Sequence, residues 1–316
     1  MMQTHGAIII EAARAGWVAS IRGEVDVMDG KKNGSGRLVF LPSLTLLTLR
    51  LLSPGHWGDA FTAEQSPLRL FMLKRYAWIE VRFLALLFWV INLHKRYPIF
   101  GKLWVRKLSY HVAGKFVGEH MIACQPMTLD EILEFIDGLP ADSRIAVGPC
   151  RCRLATHACD HPLDTDIVIL TGTQIWLDLF PGDYRVISKE EAKKRVSECY
   201  ELALVPMLDR HMYYRGSTNY FVVCNCCGCS CIPINGYRYY KGTGFRFIPS
   251  VYRSVVDPEK CEGCATCVEV CAFEERRIVD GKAEVLDCQG CGLCVKFCPN
   301  GANSMVERKS ISRAKT

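Results

Sequence analysis

The sequence predicts an α+β fold in three parts: a mostly helical N-terminal region over residues 1–124, a small cysteine-rich α/β domain over 125–250, and a compact module over 251–308. Residues 309–316 form a basic tail. Three observations carry this reading. The first 120 residues hold long apolar runs of helical character. Strand-like runs and helix-capping boxes then alternate through the middle. Finally, a set of four cysteines recurs 27 residues later, which defines a short internal repeat.

Composition bounds the answer. At 316 residues the chain can form two domains, or one with an appendage. With 49% apolar and 23% charged residues it is an ordinary globular sequence. The charge is uneven: from Arg69 to Lys115 ten Lys or Arg meet one acid, Glu80, while the whole chain carries only +6. So basic a stretch suits an anionic membrane surface or an acidic partner. Of the eighteen cysteines, sixteen fall in three tight groups, too crowded for disulfide geometry throughout. The apolar run Gly6–Ile10, followed by Glu11 and Arg14, has no basic start or cleavage site of a secretory signal. Metal ligation in a reducing compartment is therefore expected, with the protein in the cytoplasm.

The elements follow in order. Residues Gly6–Arg22 and Pro42–Leu52 read as helices, separated by a glycine-rich polar loop at 29–36. The run Phe83–Leu93 is the most hydrophobic, but its eleven residues fall short of a bilayer's hydrocarbon. Thr128-Leu-Asp-Glu131 and Ser188-Lys-Glu-Glu191 are capping boxes, opening helices over 132–137 and up to about Leu204. Strands are expected at Arg144–Val147, Asp166–Leu170 and Tyr220–Val223, two of which run straight into cysteines.

The repeat reads Cys261-x2-Cys264-x2-Cys267-x3-Cys271 and Cys288-x2-Cys291-x2-Cys294-x3-Cys298-Pro299. In so tight a loop three thiolates wrap one cubane and the fourth reaches the other. Cys261, Cys264, Cys267 and Cys298 are thus assigned to cluster I, and Cys271, Cys288, Cys291 and Cys294 to cluster II. Zinc prefers paired knuckles from separate loops, so it fits this tandem spacing poorly. Residues 252–308 resemble the dicluster bacterial ferredoxins, including a hairpin turning at Asp280-Gly281. The resemblance implies two [4Fe–4S] clusters. Ala272 stands where proline is usual after the first fourth cysteine, a departure at a non-ligand position.

Two further groups remain: Cys150-Arg-Cys152 with Cys159, and Cys224-Asn-Cys226-Cys227-Gly-Cys229-Ser-Cys231. Over residues 125–308 this pattern is similar to a poorly characterised family of cysteine-rich ferredoxin-like proteins, which implies no particular reaction. The candidate ligands of a third site are Cys150, Cys152 and Cys159 with one or more of Cys226, Cys227 and Cys229. A third iron–sulfur cluster is the favoured occupant; zinc, a dithiol pair and unligated packing are the alternatives. His157 and His161 flank Cys159 and are left out as bystanders. Arg151 and Arg153 are expected to offset thiolate charge.

Lys95, Lys102 and Arg106 share helical spacing, as do the apolar Leu108, Val112 and Phe116. With Trp78, Trp89, Trp104, Tyr76 and Tyr97, residues 69–116 suit a peripheral contact with the inner face of a membrane. A buried helical core with a basic edge and a transmembrane helix are the other readings. Nucleic-acid binding is not expected, and no phosphate-loop, flavin or nicotinamide fingerprint is present. The expected function is single-electron transfer from the repeat module to the central site or to a redox partner protein. A reductase or reductive activator acting at the central cysteines, and a metal-maturation factor, are the rivals.

Overall fold

In the computed structural model, residues 67–114, 122–211 and 220–308 are described. The helices expected over 6–22 and 42–52, their intervening loop, Phe116 and the tail lie outside these residues.

The central domain is one antiparallel sheet of six strands between two helical layers. In chain order it comprises β1 (Ile122–Pro126), α3 (Leu129–Asp137), β2 (Ile145–Pro149), α4 (Arg151–Thr156), β3 (Asp164–Ile169), α5 (Thr171–Leu179), β4 (Arg185–Ile187), α6 (Lys189–Glu201), β5 (Val205–His211), β6 (Tyr220–Cys226) and α7 (Ile232–Tyr239). Preceding it are α1 (Pro67–Arg96) and α2 (Leu103–Ser109). The strand order is β1-β5-β6-β3-β2-β4. Alternation decides the layers. Ile145, Val147, Ile167, Ile169, Phe221 and Val223 meet α3 and α6 on one face. Ala146, Val168, Tyr220 and Val222 meet α1 and α5 on the other.

Both expected capping signals operate. Thr128 and Glu131 exchange the full capping box at the start of α3. At α6, Ser188 Oγ accepts from Glu191 N at 3.1 Å, but the Glu191 carboxylate turns to Arg185 at 2.6 Å. The strands extend two to three residues past the expected limits at Pro149 and Cys226, so the sheet delivers its chain directly to Cys150 and Cys227.

Helix α1 is far longer than its apolar run. Its thirty residues continue through Glu80 because that carboxylate faces the sheet, 3.1 Å from His211 Nδ1 and accepting from Tyr220 Oη at 3.1 Å. Leu73, Ala77, Leu84 and Ile91 fill the same inward stripe. By length and composition, Leu70–Arg96 is the single segment among the described residues apolar enough to cross a membrane. The outward face is apolar too, with Phe71, Trp78, Phe83, Leu86 and Trp89 exposed. The shared face expected for Lys95, Lys102 and Arg106 does not form. Pro98 ends α1, a 3-10 turn follows, and Arg106 is drawn inward to donate to Tyr239 O and Lys241 O, each at 3.0 Å.

The C-terminal module holds β7 (Tyr252–Val256), α8 (Thr266–Glu269), β8 (Arg276–Val279), β9 (Lys282–Val285), α9 (Leu293–Lys296) and β10 (Asn303–Glu307). Strands β7 and β10 pair antiparallel, as do β8 and β9 through a tight turn in which Asp280 and Gly281 both take positive φ. The module is fastened to the central domain by polar bridges around a shared apolar patch. Tyr200 Oη donates to Cys291 O at 3.3 Å, Tyr237 Oη to Glu275 at 2.8 Å, and Lys296 pairs with Glu201 at 2.7 Å.

Candidate metal centres

In the C-terminal module the structure brings the eight cysteines into two sets. Cys261, Cys264, Cys267 and Cys298 line one cavity with Ile278, Ala283 and Ala302. Cys291 and Cys294 lie within the electrostatic field of Cys271 and Cys288, which makes a second group. These are the two sets of four that the spacing assigns to clusters I and II.

The surroundings fit thiolate-bound clusters. Backbone N–H groups are aimed at sulfur: Ala283 N to Cys261 at 3.3 Å, Ala302 N to Cys298 at 3.2 Å, Ser254 N to Cys288 and Glu275 N to Cys271, both at 3.4 Å. At Cys298 burial opposes ionisation, but N–H groups of Ala302, Asn300 and Asn303 outweigh it and hold the thiol below its ordinary value. Gly263 and Gly290 sit at φ of +69° and +86°, where a Cβ would strike Gly281 O and Tyr252 O respectively. The loops therefore close against these carbonyls only without a side chain.

Sequence reading missed Arg276. It is almost fully buried, held by Asn303 Oδ1 at 2.6 Å and Ser254 Oγ at 2.5 Å. Its guanidinium contacts Cys267 of the first set and lies in the field of Cys288 and Cys294 of the second. Nothing local in the sequence marks a strand arginine as this inward cation.

The six central candidates do not converge on one point. Cys150 hydrogen-bonds Cys152, and Cys152 lies in the field of Cys226 and Cys231. Cys226 in turn hydrogen-bonds Cys224 and Cys231. Cys159, Cys227 and Cys229 form a separate group with His161, their ligand atoms all within 4.8 Å of one another. Strand geometry separates the two: residues 224 and 226 point to one side of β6, and the next residue, Cys227, turns to the other. Cys231 thus lies with the first group and His161 with the second, so the expected candidates are divided between two groups of side chains.

The two arginines also part. Arg151 is enclosed by Phe180, Trp176 and Tyr184, its guanidinium carbon 3.8 Å from the Phe180 ring centre, and it pairs with Asp183 at 3.1 Å. It holds α4 in place and does not serve the thiols. Arg153 does face them. It is 2% exposed and donates to Pro162 O, Thr165 Oγ1 and Asn225 O at 2.8, 2.6 and 2.5 Å. Its charge lies among Cys150, Cys226 and Cys227.

Buried acids flank the inner group. Burial lifts Asp166 to about 6, against the pull of the Arg151 N–H and Arg153. Asp209 is raised by burial as well and hydrogen-bonds the thiols of Cys124 and Cys224. Around the outer group, burial and then Arg153 hold His161 below its ordinary value.

The geometry and the eight-cysteine repeat define an iron–sulfur protein. Residues 253–299 match the family model described as a 4Fe-4S dicluster domain, so this part of the chain is a dicluster ferredoxin-type module. Such a domain supports an iron–sulfur electron-transfer role. No curated protein and no solved structure matches the chain.

Proposed function

We propose that this protein is an electron carrier whose dicluster module exchanges single electrons with the inner thiol group of the central domain. The observation that carries this is a continuous apolar contact. Cys291 and Cys271 pack in one cluster with Cys226, Cys231, Cys224 and Cys124, around Phe273, Phe247 and Tyr237. Bound [4Fe–4S] clusters would supply one-electron chemistry at near-constant geometry. The chain supplies the rest: thiols, sulfur-directed N–H groups, Arg276 and a water-poor seam between the two modules. Cys264 is exposed while Cys291 is buried, which orders the module from a solvent-facing end to an inward one.

A third cluster held by Cys150, Cys152, Cys226 and Cys231 completes this reading. Arg153 offsets its thiolates, and buried carboxylic acids beside it suit a group whose charge changes. Cys226→Ser together with Cys231→Ser should lower iron by about four per chain while the dicluster signals persist. Full retention of iron would overturn the third cluster, and loss of electron uptake at both remaining clusters would overturn the carrier.

The partner side is proposed to include an anionic membrane surface. Arg75, Arg82, Lys95, Arg96, Lys102 and Lys107 are exposed beside the outward aromatics of α1 and α2. The inner stripe of α1 packs on the sheet, which favours lying along a bilayer over threading it.

A further inference from the structure

The outer group of the central domain is unlike the other three sets of cysteines. Its four ligand atoms, from Cys159, His161, Cys227 and Cys229, all lie within 4.8 Å of one another, and the eight cysteines of the dicluster module draw together nowhere so closely. Cys159 Sγ and Cys227 Sγ are 3.7 Å apart. Thiolates on one tetrahedral ion with bonds of about 2.3 Å stand about 3.8 Å apart. A disulfide would need about 2.05 Å. From this geometry we infer that Cys159, His161, Cys227 and Cys229 form a closed, mononuclear zinc site separate from the redox path.

The chemistry agrees. Three thiolates and a neutral imidazole around one divalent ion leave a net charge near −1, and the buried Arg153 beside Cys227 offsets it. Ser230 Oγ lies 3.0 Å from Cys227 Sγ and 3.5 Å from Cys159 Sγ, and so joins the two thiols in a second layer. Gly228 O accepts from Asn235 Nδ2 at 3.1 Å and from Arg238 Nη1 at 3.0 Å, which fixes the turn carrying Cys227 and Cys229. A fourth protein ligand leaves no open position for substrate, so the ion would be structural. It ties the loop after α4 to the turn after β6 across 68 residues. The inference is independent of the third cluster.

The test is metal analysis of the full chain, purified without oxygen, for zinc and iron together. About one zinc per chain is expected in the native protein. Cys159→Ser and His161→Ala should each remove most of it, with iron and visible cluster absorbance unchanged. His161→Cys should keep the zinc, because four cysteines are also a zinc set. Cobalt loaded in place of zinc should shift its d–d bands in this variant. Native protein without zinc, iron lost on Cys159→Ser, or cobalt bands indifferent to His161→Cys would each overturn the assignment. If Cys159→Ser fails to fold, the cobalt spectrum of His161→Cys decides alone.

Discussion

At the scale of single residues, Arg276 sets the electrostatics of the dicluster module. A buried cation beside thiolates favours the state with more negative charge, which is the reduced one. Arg276→Gln should therefore lower both midpoint potentials, by on the order of 60 mV, the one-electron equivalent of about 1.4 kcal/mol. Redox titration followed by paramagnetic resonance measures this, and unchanged potentials would remove Arg276 from the tuning role. Gly290 makes a steric demand. An alanine there adopts a left-handed backbone and meets Tyr252 O. Gly290→Ala should cost about four irons per chain, read by iron and sulfide assay, with the first set still loaded. Residue identities were legible in the sequence where spacing encodes chemistry, as in the tandem repeat. The placement of Arg276, His161 and Cys231 beside the thiols was not, because it depends on which strand faces which, a long-range fact.

At the scale of elements, α1 is held to the sheet by one buried polar contact as well as by its apolar stripe. Burial alone would depress His211, but Glu80 outweighs it and lifts the imidazole above its ordinary 6.5. A raised folded value means that the stabilisation is complete below about pH 6.5 and is lost as pH rises through the folded value. Chemical unfolding followed by circular dichroism at about pH 6 and pH 8.5 should show that decline. Glu80→Gln should reduce the pH dependence, leaving the part due to Asp166 and Asp209, and cost about 2–3 kcal/mol at the lower pH. Equal pH slopes in the two proteins would count against the pair. The capping boxes and the three strands were readable because their signals are local. Helix α1 was misjudged in length, since Glu80 and Arg82 interrupt its hydropathy and only the sheet explains the acid. The break at Pro98 was available from the proline itself.

At the scale of the whole molecule, the proposed lipid contact rests on the exposed apolar side chains of α1 and α2, among them Trp78, Trp89 and Trp104. Cations rest on their rings, with Arg82 5.0 Å from the Trp78 ring centre and Arg75 5.1 Å from that of Phe71. The protein should float with vesicles containing anionic lipid and be released by salt at about 1 M. Trp89→Ser with Trp104→Ser should weaken that binding several-fold without changing iron content. Recovery in the soluble fraction at every ionic strength would count against lipid contact. The α+β class and the ferredoxin-type module were legible because strand pattern and cysteine spacing change along the chain. How the parts meet was not, since the seam is made of residues far apart in sequence, such as Tyr200, whose hydroxyl donates to Cys291 O at 3.3 Å.

One peptide bond, that between Cys226 and Cys227, separates the inner thiol group from the outer one. Inserting a single residue before Cys224 would present Asn225 where the inner group needs Cys226 and Gly228 where the outer group needs Cys229, and so disable both at once. Both groups therefore depend on the single register of β6.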